Sequence, residues 1–348
     1  VIDPNSSLAV VLFQLGGPDS LDAVEPFLFN LFSDPDIIDF PFARLARPTM
    51  ARLISSRRAR HAQEHYASIG GRSPIRELTE RQARALEREL RERHALGARV
   101  FVAMRYWHPL TKEAVEQVVA GGFHRIVLLP LYPQFSKTTT GSSLNEWHRQ
   151  WQARGKNSMR TAVVREFYDH PLYLDALVER INEGLERFAP QAAAGTAALA
   201  ASERPAQASK VSDVHLLFSA HGVPLKVIEQ GDPYRDQIEA TMRLVMARGG
   251  WPNPHSLCWQ SRVSPGKWLE PSLSEALRGL AARGARRVLV VPVAFVSEHV
   301  ETLAEVDIEA RYLAYRLGLA RFELMPALND SPAFIRALAD LVLRAAPE

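Results

Sequence analysis

HPLTKEAVEQVVAGGFHRIVLLP, residues 108–130, returns 162 positions later (270 − 108) as EPSLSEALRGLAARGARRVLVVP, residues 270–292. At that constant offset Pro109, Glu113, Ala114, Ala120, Gly122, Arg125 and Pro130 meet Pro271, Glu275, Ala276, Ala282, Gly284, Arg287 and Pro292. Each copy reads as a helix, a glycine that stops it, and a short apolar run closed by proline. Apolar runs without alternation are strands buried on both faces, as in a parallel sheet covered by helices. Similar runs at 8–15, 100–104, 214–218 and 255–259 are separated by helical patterns such as 78–94. The spacing predicts right-handed crossovers and an α/β chain of two similar lobes, each with a parallel sheet. Any helix–glycine–strand unit shares part of this likeness, but the run of aligned identities points to lobes built alike. An open parallel sheet takes its ligand at the carboxyl ends of its strands, so the ligand is expected in the cleft between the lobes.

The chain has 348 residues, enough for two domains with cores of their own. They are expected at 1–160 and 161–325, with a C-terminal helix in 326–348 packing back on the first. Lys and Arg number 42 against 39 Asp and Glu, a net charge of +3, so nucleic acid is not an expected partner. The single cysteine, Cys258, cannot close an internal disulfide, build a four-cysteine zinc site or ligate a conventional iron–sulfur cluster. No apolar run reaches the ~18 residues of a spanning helix. Residues 1–5, VIDPN, lack the basic and apolar regions of a secretory signal, and a cytoplasmic protein is expected. Residues 189–212, rich in Ala, Ser, Gln and Pro, read as an insertion loop. An Ala-rich helix is the weaker alternative because Gly195 interrupts it.

Reactive side chains follow several of these strands directly. GGPDS (16–20) has too few glycines for a phosphate loop and offers Asp19 or Ser20 as a helix cap. RYWHP (105–109) follows 100–104. The loop YPQFSKTTTGSSLNEW (132–147) carries six Ser and Thr hydroxyls beside Lys137. They suit carboxylates or phosphates, or equally a capped helix start at Ser142 or Ser143. In SAHGVP (219–224), His221 stands just past a strand, where Gly222 and Pro224 stop any continuation. There its imidazole can accept a proton or bind a metal near neutral pH. A lone histidine is commonly structural, so His221 needs a partner.

SEHVETLAEVDIE (297–309) supplies one. If the segment is helical, Glu301, Glu305 and Glu309 fall at i, i+4 and i+8, a line of carboxylates that repel one another. The line reads either as a solvated acidic face or as a route for cations or protons into the crevice. Imidazole and carboxylate together suit divalent iron or zinc. Without an HExxH helix or paired CxxC, a tightly held hydrolytic zinc is disfavoured against a metal in transit.

LGGPDSLDAVEPFLFNLFSDPDII (15–38), YASIGGRSPI (66–75), RYWHPLT (105–111), YPQFSKTTTGSSLN (132–145), FSAHGVP (218–224), GDPY (231–234), QSRVSPGKWLEP (260–271) and FVSEHVETLAEVDIE (295–309) resemble, in order, the ferrochelatase family. The resemblance implies two Rossmann-like lobes with a porphyrin in the cleft. It implies a lyase that inserts ferrous iron into protoporphyrin IX in haem synthesis, releasing two protons. The alternatives are a chelatase for coproporphyrin or another tetrapyrrole, or a non-catalytic two-lobed metal- or haem-binding protein. Porphyrin and Fe2+ are then substrates, with no permanently bound cofactor. His221 and Glu301 are implied as catalytic and metal-binding residues facing each other over the porphyrin centre. Glu298, His299, Glu305 and Glu309 form the acidic track behind them, and Leu15, Arg105, Tyr106, Tyr132, Ser143 and Trp268 are porphyrin contacts. Family members with an iron–sulfur cluster carry a cysteine-rich C-terminal extension; this sequence ends at Glu348 without one, and no cluster is expected.

Residues 40–61 hold Arg44, Arg47, Arg52, Arg57, Arg58 and Arg60, no acidic residue, and Phe42, Leu45, Met50, Leu53 and Ile54 between them. They match the family's active-site lip. Such a surface can rest on the inner face of an anionic membrane or steer porphyrin propionates; a solvated helix face is the alternative.

Overall fold

The computed structural model describes residues 8–37, 43–155, 160–189, 211–262 and 266–347. The strands β1 (Leu8–Gln14), β2 (Ala98–Met104), β3 (Arg125–Pro130) and β4 (Arg160–Val163) form one parallel sheet in the order β2-β1-β3-β4. The strands β5 (His215–His221), β6 (His255–Gln260), β7 (Arg287–Pro292) and β8 (Arg321–Leu324) form a second in the same pattern, β6-β5-β7-β8. All neighbouring strands are parallel. Around them lie α1 (Val24–Phe32), α2 (Ala43–Ser68), α3 (Ile75–His94), α4 (Thr111–Ala120), α5 (Ser142–Gln152), α6 (Pro171–Glu186), α7 (Leu225–Glu229), α8 (Tyr234–Gly249), α9 (Leu273–Ala282), α10 (Arg311–Arg316) and α11 (Pro332–Ala345).

The 162-residue offset holds residue for residue where it was read. Helices α4 and α9 coincide, as do β3 and β7. Gly122 and Gly284, which end the two helices, both take positive φ, 68° and 83°, a conformation that favours glycine. Each copy then ties itself to its first strand in the same way, Leu131 N to Phe13 O and Val293 N to Ser219 O.

The two lobes do not keep separate cores. A single apolar cluster runs from Leu8, Val10 and Leu12 of β1, through Leu86 of α3, Leu177 of α6, Ile238 of α8 and Leu338 of α11, to Leu216 and Phe218 of β5. Helices α6 and α11 pack on each other, and α11 also on α3 and β3, so the layer between the sheets is shared. Arg125 Nε bonds Pro347 O at 2.7 Å at the end of α11. The outer faces have cores of their own, Val11, Phe13 and Trp147 on the first sheet and Leu217, Val290 and Phe322 on the second.

Two of the four edge strands, β4 and β8, escaped the sequence reading. RTAV and RFEL are four residues long and carry charge, as sheet edges do. β4 straddles the expected boundary at 160/161 and pairs with β3. Residues 190–210 of the insertion and 40–42 of the lip lie outside the described residues, as do the side chains of 43–45; the rest of the lip is α2. Among the described residues no helix is long and apolar enough to cross a membrane.

In each sheet the chain leaves its first strand to opposite sides, and a crevice opens where the order reverses. The loops after β1, β3, β5 and β7 converge there. β3 and β7 each lead into a π-helical segment, Lys137–Gly141 and Glu301–Ala310, a rare element that favours functional sites.

Candidate active site

His221 is the last residue of β5. Gly222 N bonds Gln260 O at 2.7 Å, so the chain leaves the sheet edge with the imidazole at the strand's carboxyl end. A side chain at 222 does not fit: its Cβ would lie 3.0 Å from Gln260 O and 3.4 Å from the Trp268 ring. Glu301 opens the π-helix after β7. The two meet at 2.8 Å between His221 Nδ1 and Glu301 Oε2. With Nδ1–H directed at the carboxylate, Nε2 is the basic nitrogen of the neutral ring. Among the described residues no cluster of three His, Cys, Asp or Glu stands ready to hold a metal, so the pair offers one imidazole and one carboxylate.

Solvent reaches 31% of the His221 side chain and 19% of Glu301, and protein surrounds both. Burial alone would push the imidazole down. The Glu301 charge, its hydrogen bond and the Glu305 charge reverse this and hold His221 above its ordinary value. Burial opposes ionisation of Glu301 too, but His221 and His299 hold its carboxyl well below the usual range. Both shifts favour the charged, imidazolium–carboxylate form of the pair. His299 stacks on Phe295, ring centroids 4.2 Å apart. Its Nε2 lies 3.8 Å from Glu301 Oε2, too long for a hydrogen bond, and both of its ring nitrogens are buried without such a partner.

The carboxylate line is real, but it stands on a π-helix, not the α-helix implied by i, i+4 counting. Nothing in residue spacing separates the two forms. Ser261 Oγ links the first two members, 3.2 Å from Glu301 Oε2 and 2.6 Å from Glu305 Oε2. Burial, then the Glu301 charge, pushes the Glu305 carboxyl up to about 7. Glu309 meets His65 Nε2 of α2 at 3.0 Å, so the lip helix closes over the line's far end. A cavity of about 280 Å³ lined by Gly222, Ser261, Trp268, Glu305 and Glu309 adjoins it. Glu298 is held apart, its N bonded to Asn329 Oδ1 at 3.2 Å.

On the other wall, Arg105 and Tyr106 are locked into a buried network. Asp34, its side chain fully enclosed, takes Arg105 Nη2 at 2.8 Å, the Tyr106 hydroxyl at 2.6 Å and Ser142 Oγ at 2.5 Å. Arg105 Nε also bonds Ser142 Oγ at 2.8 Å. Tyr106 thus shapes the wall from behind. Leu15 is half-buried, and its carbonyl accepts from Tyr106 N. The Tyr132 hydroxyl and Ser143 Oγ are buried beside each other, and burial, partly offset by Ser143, pushes the phenol up. The cap of this loop is Ser136, accepting from Thr138 N, and not Ser142 or Ser143, which lie inside the helix that follows.

Sequence reading missed several members of the site. Burial and then the Glu301 charge raise Tyr66 of α2. Burial, then Glu301 and Asp232, raise Tyr234, whose hydroxyl meets the His221 backbone. Asp232 in turn accepts from Ser136 Oγ at 3.0 Å and Lys137 N at 2.8 Å, joining the two π-helical loops' lobes. Only position after a strand end could have singled out Ser261; Asp34 gives no local signal.

A family model described as Ferrochelatase matches residues 7–346. The chain is 50% identical over 337 residues to the ferrochelatase of Geobacter metallireducens, covering 97% of this chain and 98% of that one. It is 43% identical over 334 residues to the ferrochelatase of Aquifex aeolicus, covering 96% and 97%. Among solved structures, SirB from Bacillus subtilis with Fe3+ superposes with a TM-score of 0.53 at 12% identity, covering 98% of this chain and 96% of that one. The sirohydrochlorin chelatase SirB of B. subtilis subspecies spizizenii in complex with cobalt gives 0.52 at 10%, covering 98% and 95%. At such identities the structures show a shared fold.

Proposed function

The chain belongs to the ferrochelatase family, and from that premise we propose how its own residues place ferrous iron in a porphyrin. The carrying observation is the 2.8 Å contact between His221 Nδ1 and Glu301 Oε2 at the carboxyl ends of β5 and β7. Insertion exchanges two pyrrole N–H protons for one Fe2+, so the site must accept two protons per turnover and release a dication from its water. The His221 imidazole, once neutral, accepts the first proton at Nε2, and Glu301 stabilises the resulting cation. Ser261 bridges Glu301 to Glu305, whose carboxyl near pH 7 suits a proton in transit. The same carboxylates attract Fe2+ weakly enough to let it go.

A flat macrocycle hides its nitrogen lone pairs. Walls held by Asp34 on one side and Trp268 on the other are rigid enough to bend it, strain supplied by binding the rest of the ring. Leu15, Tyr132 and Ser143 complete the proposed contacts, and protoporphyrin IX is the proposed substrate. Cys258 lies inside β6 with its thiol pushed by burial to about 12, so it serves no cluster in this reading. A cytoplasmic protein resting on an anionic membrane is the proposed location, since Arg52, Leu53, Arg57 and Arg60 of α2 are all exposed. Flotation with anionic vesicles at low and high salt tests this, and no binding at either salt defeats it.

The test of function is anaerobic incubation with Fe2+ and free-base protoporphyrin beside a four-carboxylate porphyrin, followed by absorption. His221→Ala is expected to lose roughly 10²- to 10⁴-fold in kcat with its fold intact. Near-normal insertion by that variant overturns the assignment, and faster turnover of the four-carboxylate ring overturns the substrate.

A further inference from the structure

Gln82 belongs to α3, a helix of the first lobe, yet its side chain ends on the loop that carries His299 and Glu301. It is fully buried. Its Nε2 donates to Ser297 Oγ at 3.1 Å and to Asn329 O at 2.8 Å. Asn329, at φ 43°, returns two bonds to the same loop, its N to Val296 O at 2.8 Å and its Oδ1 from Glu298 N at 3.2 Å. His299 N then caps onto Thr302 Oγ1 at 3.1 Å. Residues 296–302 are therefore braced from the opposite sheet's helix, through one amide, at the point where β7 gives way to the π-helix.

The Gln82 Oε1 is buried with no partner. A half-satisfied amide in a core is disfavoured against an apolar side chain of the same size, so its retention calls for a use other than packing. The amide's orientation follows from its neighbours, because the Asn329 carbonyl can only accept and the nitrogen is the only donor of the Gln82 amide.

We propose that Gln82 is a positioning residue for metal insertion, holding the His299–Glu301 loop so that Glu301 stays in register with His221. The proposal rests on the role given above to that pair. Since the hydrogen bonds of Gln82 among the described residues go to Ser297 and Asn329 and to none of the proposed porphyrin contacts, its loss is expected to separate turnover from porphyrin binding.

The test uses the full chain with Gln82→Met, which keeps the volume and removes both donated bonds. A second variant, Asn329→Gly, tolerates the positive φ and removes only the acceptor for Glu298 N. For Gln82→Met, kcat is expected to fall about tenfold while porphyrin KM stays within about twofold. Asn329→Gly is expected to fall about threefold in kcat. In both, amide hydrogen exchange quickens at 296–303 and stays unchanged inside β5 and β7. Wild-type kcat in a folded Gln82→Met overturns the proposal, as does faster exchange across the whole chain with kcat and KM moving together. If the wild-type protein inserts no metal, the functional reading has failed, and unchanged exchange at 296–303 in Gln82→Met then overturns the brace as well.

Discussion

Replacing Glu301 with glutamine removes a charge from the 2.8 Å contact with His221 and leaves its shape nearly intact. Two unit charges centred about 4 Å apart attract by about 4 kcal/mol at an effective dielectric of about 20. Desolvation of both groups, and the 31% and 19% of the side chains open to solvent, reduce this, and about 2 kcal/mol is expected near pH 6. His221 is raised in the folded state, so its contribution is full below the unfolded value of about 6.5 and is lost as pH rises through its folded value. Glu301 is lowered, so its contribution is present above about 4.3 and is lost as pH falls through its folded value. The penalty of the substitution therefore peaks between those limits. In alkali it fades, because the neutral ring can give the same Nδ1–H to the amide oxygen. Glu305, raised to about 7 partly by Glu301, contributes stability that is lost as pH rises from its unfolded value through 7. Relieving that repulsion brings the variant level with or above wild type at pH 9. Calorimetry is expected to show a midpoint about 3 °C lower at pH 6, with no loss at pH 9. NMR titration of the His221 ring should place it lower than in wild type. Equal penalties at both pH values, or an unmoved His221, would refute the electrostatic account.

Asp34→Ala strands the Arg105 guanidinium, 11% accessible, and the Tyr106 phenol. A loss of roughly 3–5 kcal/mol in denaturant unfolding is expected, with a rise in porphyrin KM at the permissive temperature; a near-neutral change would mean the wall does not depend on this carboxylate. Gly222→Ala sets a methyl 3.0 Å from the Gln260 carbonyl, which must shift by a few tenths of an ångström against its place in the sheet. About 1–3 kcal/mol of destabilisation and weaker porphyrin binding by fluorescence titration are expected, and unchanged binding would show that Trp268 does not form the wall.

What the sequence made legible was local or periodic. The 162-residue repeat requires only that a helix end at Gly122 or Gly284 and a buried strand follow, and chain order carries both facts. His221 was visible because it stands at a strand's carboxyl end, where an open sheet places chemistry, and Glu301 because it heads a line of carboxylates in the segment after another strand. Short edge strands such as RFEL bury too little to leave a pattern. The shared core was invisible because a hydrophobic stripe on α6 or α11 says that a face is buried, not which sheet buries it. Asp34 and Gln82 act on partners 71 to 247 residues away, Arg105 and Tyr106 for one, Ser297 and Asn329 for the other. No spacing rule reaches across such separations.

The two π-helical segments suit the two halves of the proposed mechanism, one for holding a ring and one for moving charge. Each follows the third strand of its sheet and faces the same cleft. In the first, Thr139 Oγ1 and Thr140 Oγ1 are buried without partners, and Asp34 and Ser142 hold the nearby Arg105, with Glu146 3.9 Å from it. That segment carries hydroxyls and one cation, Lys137, and no carboxylate. In the second, the same element carries Glu301, Glu305 and Glu309 toward His65 at the protein surface. In the proposed mechanism, protons leaving a porphyrin and a cation approaching it would meet the carboxylates of the second segment, while the first would serve to hold the ring.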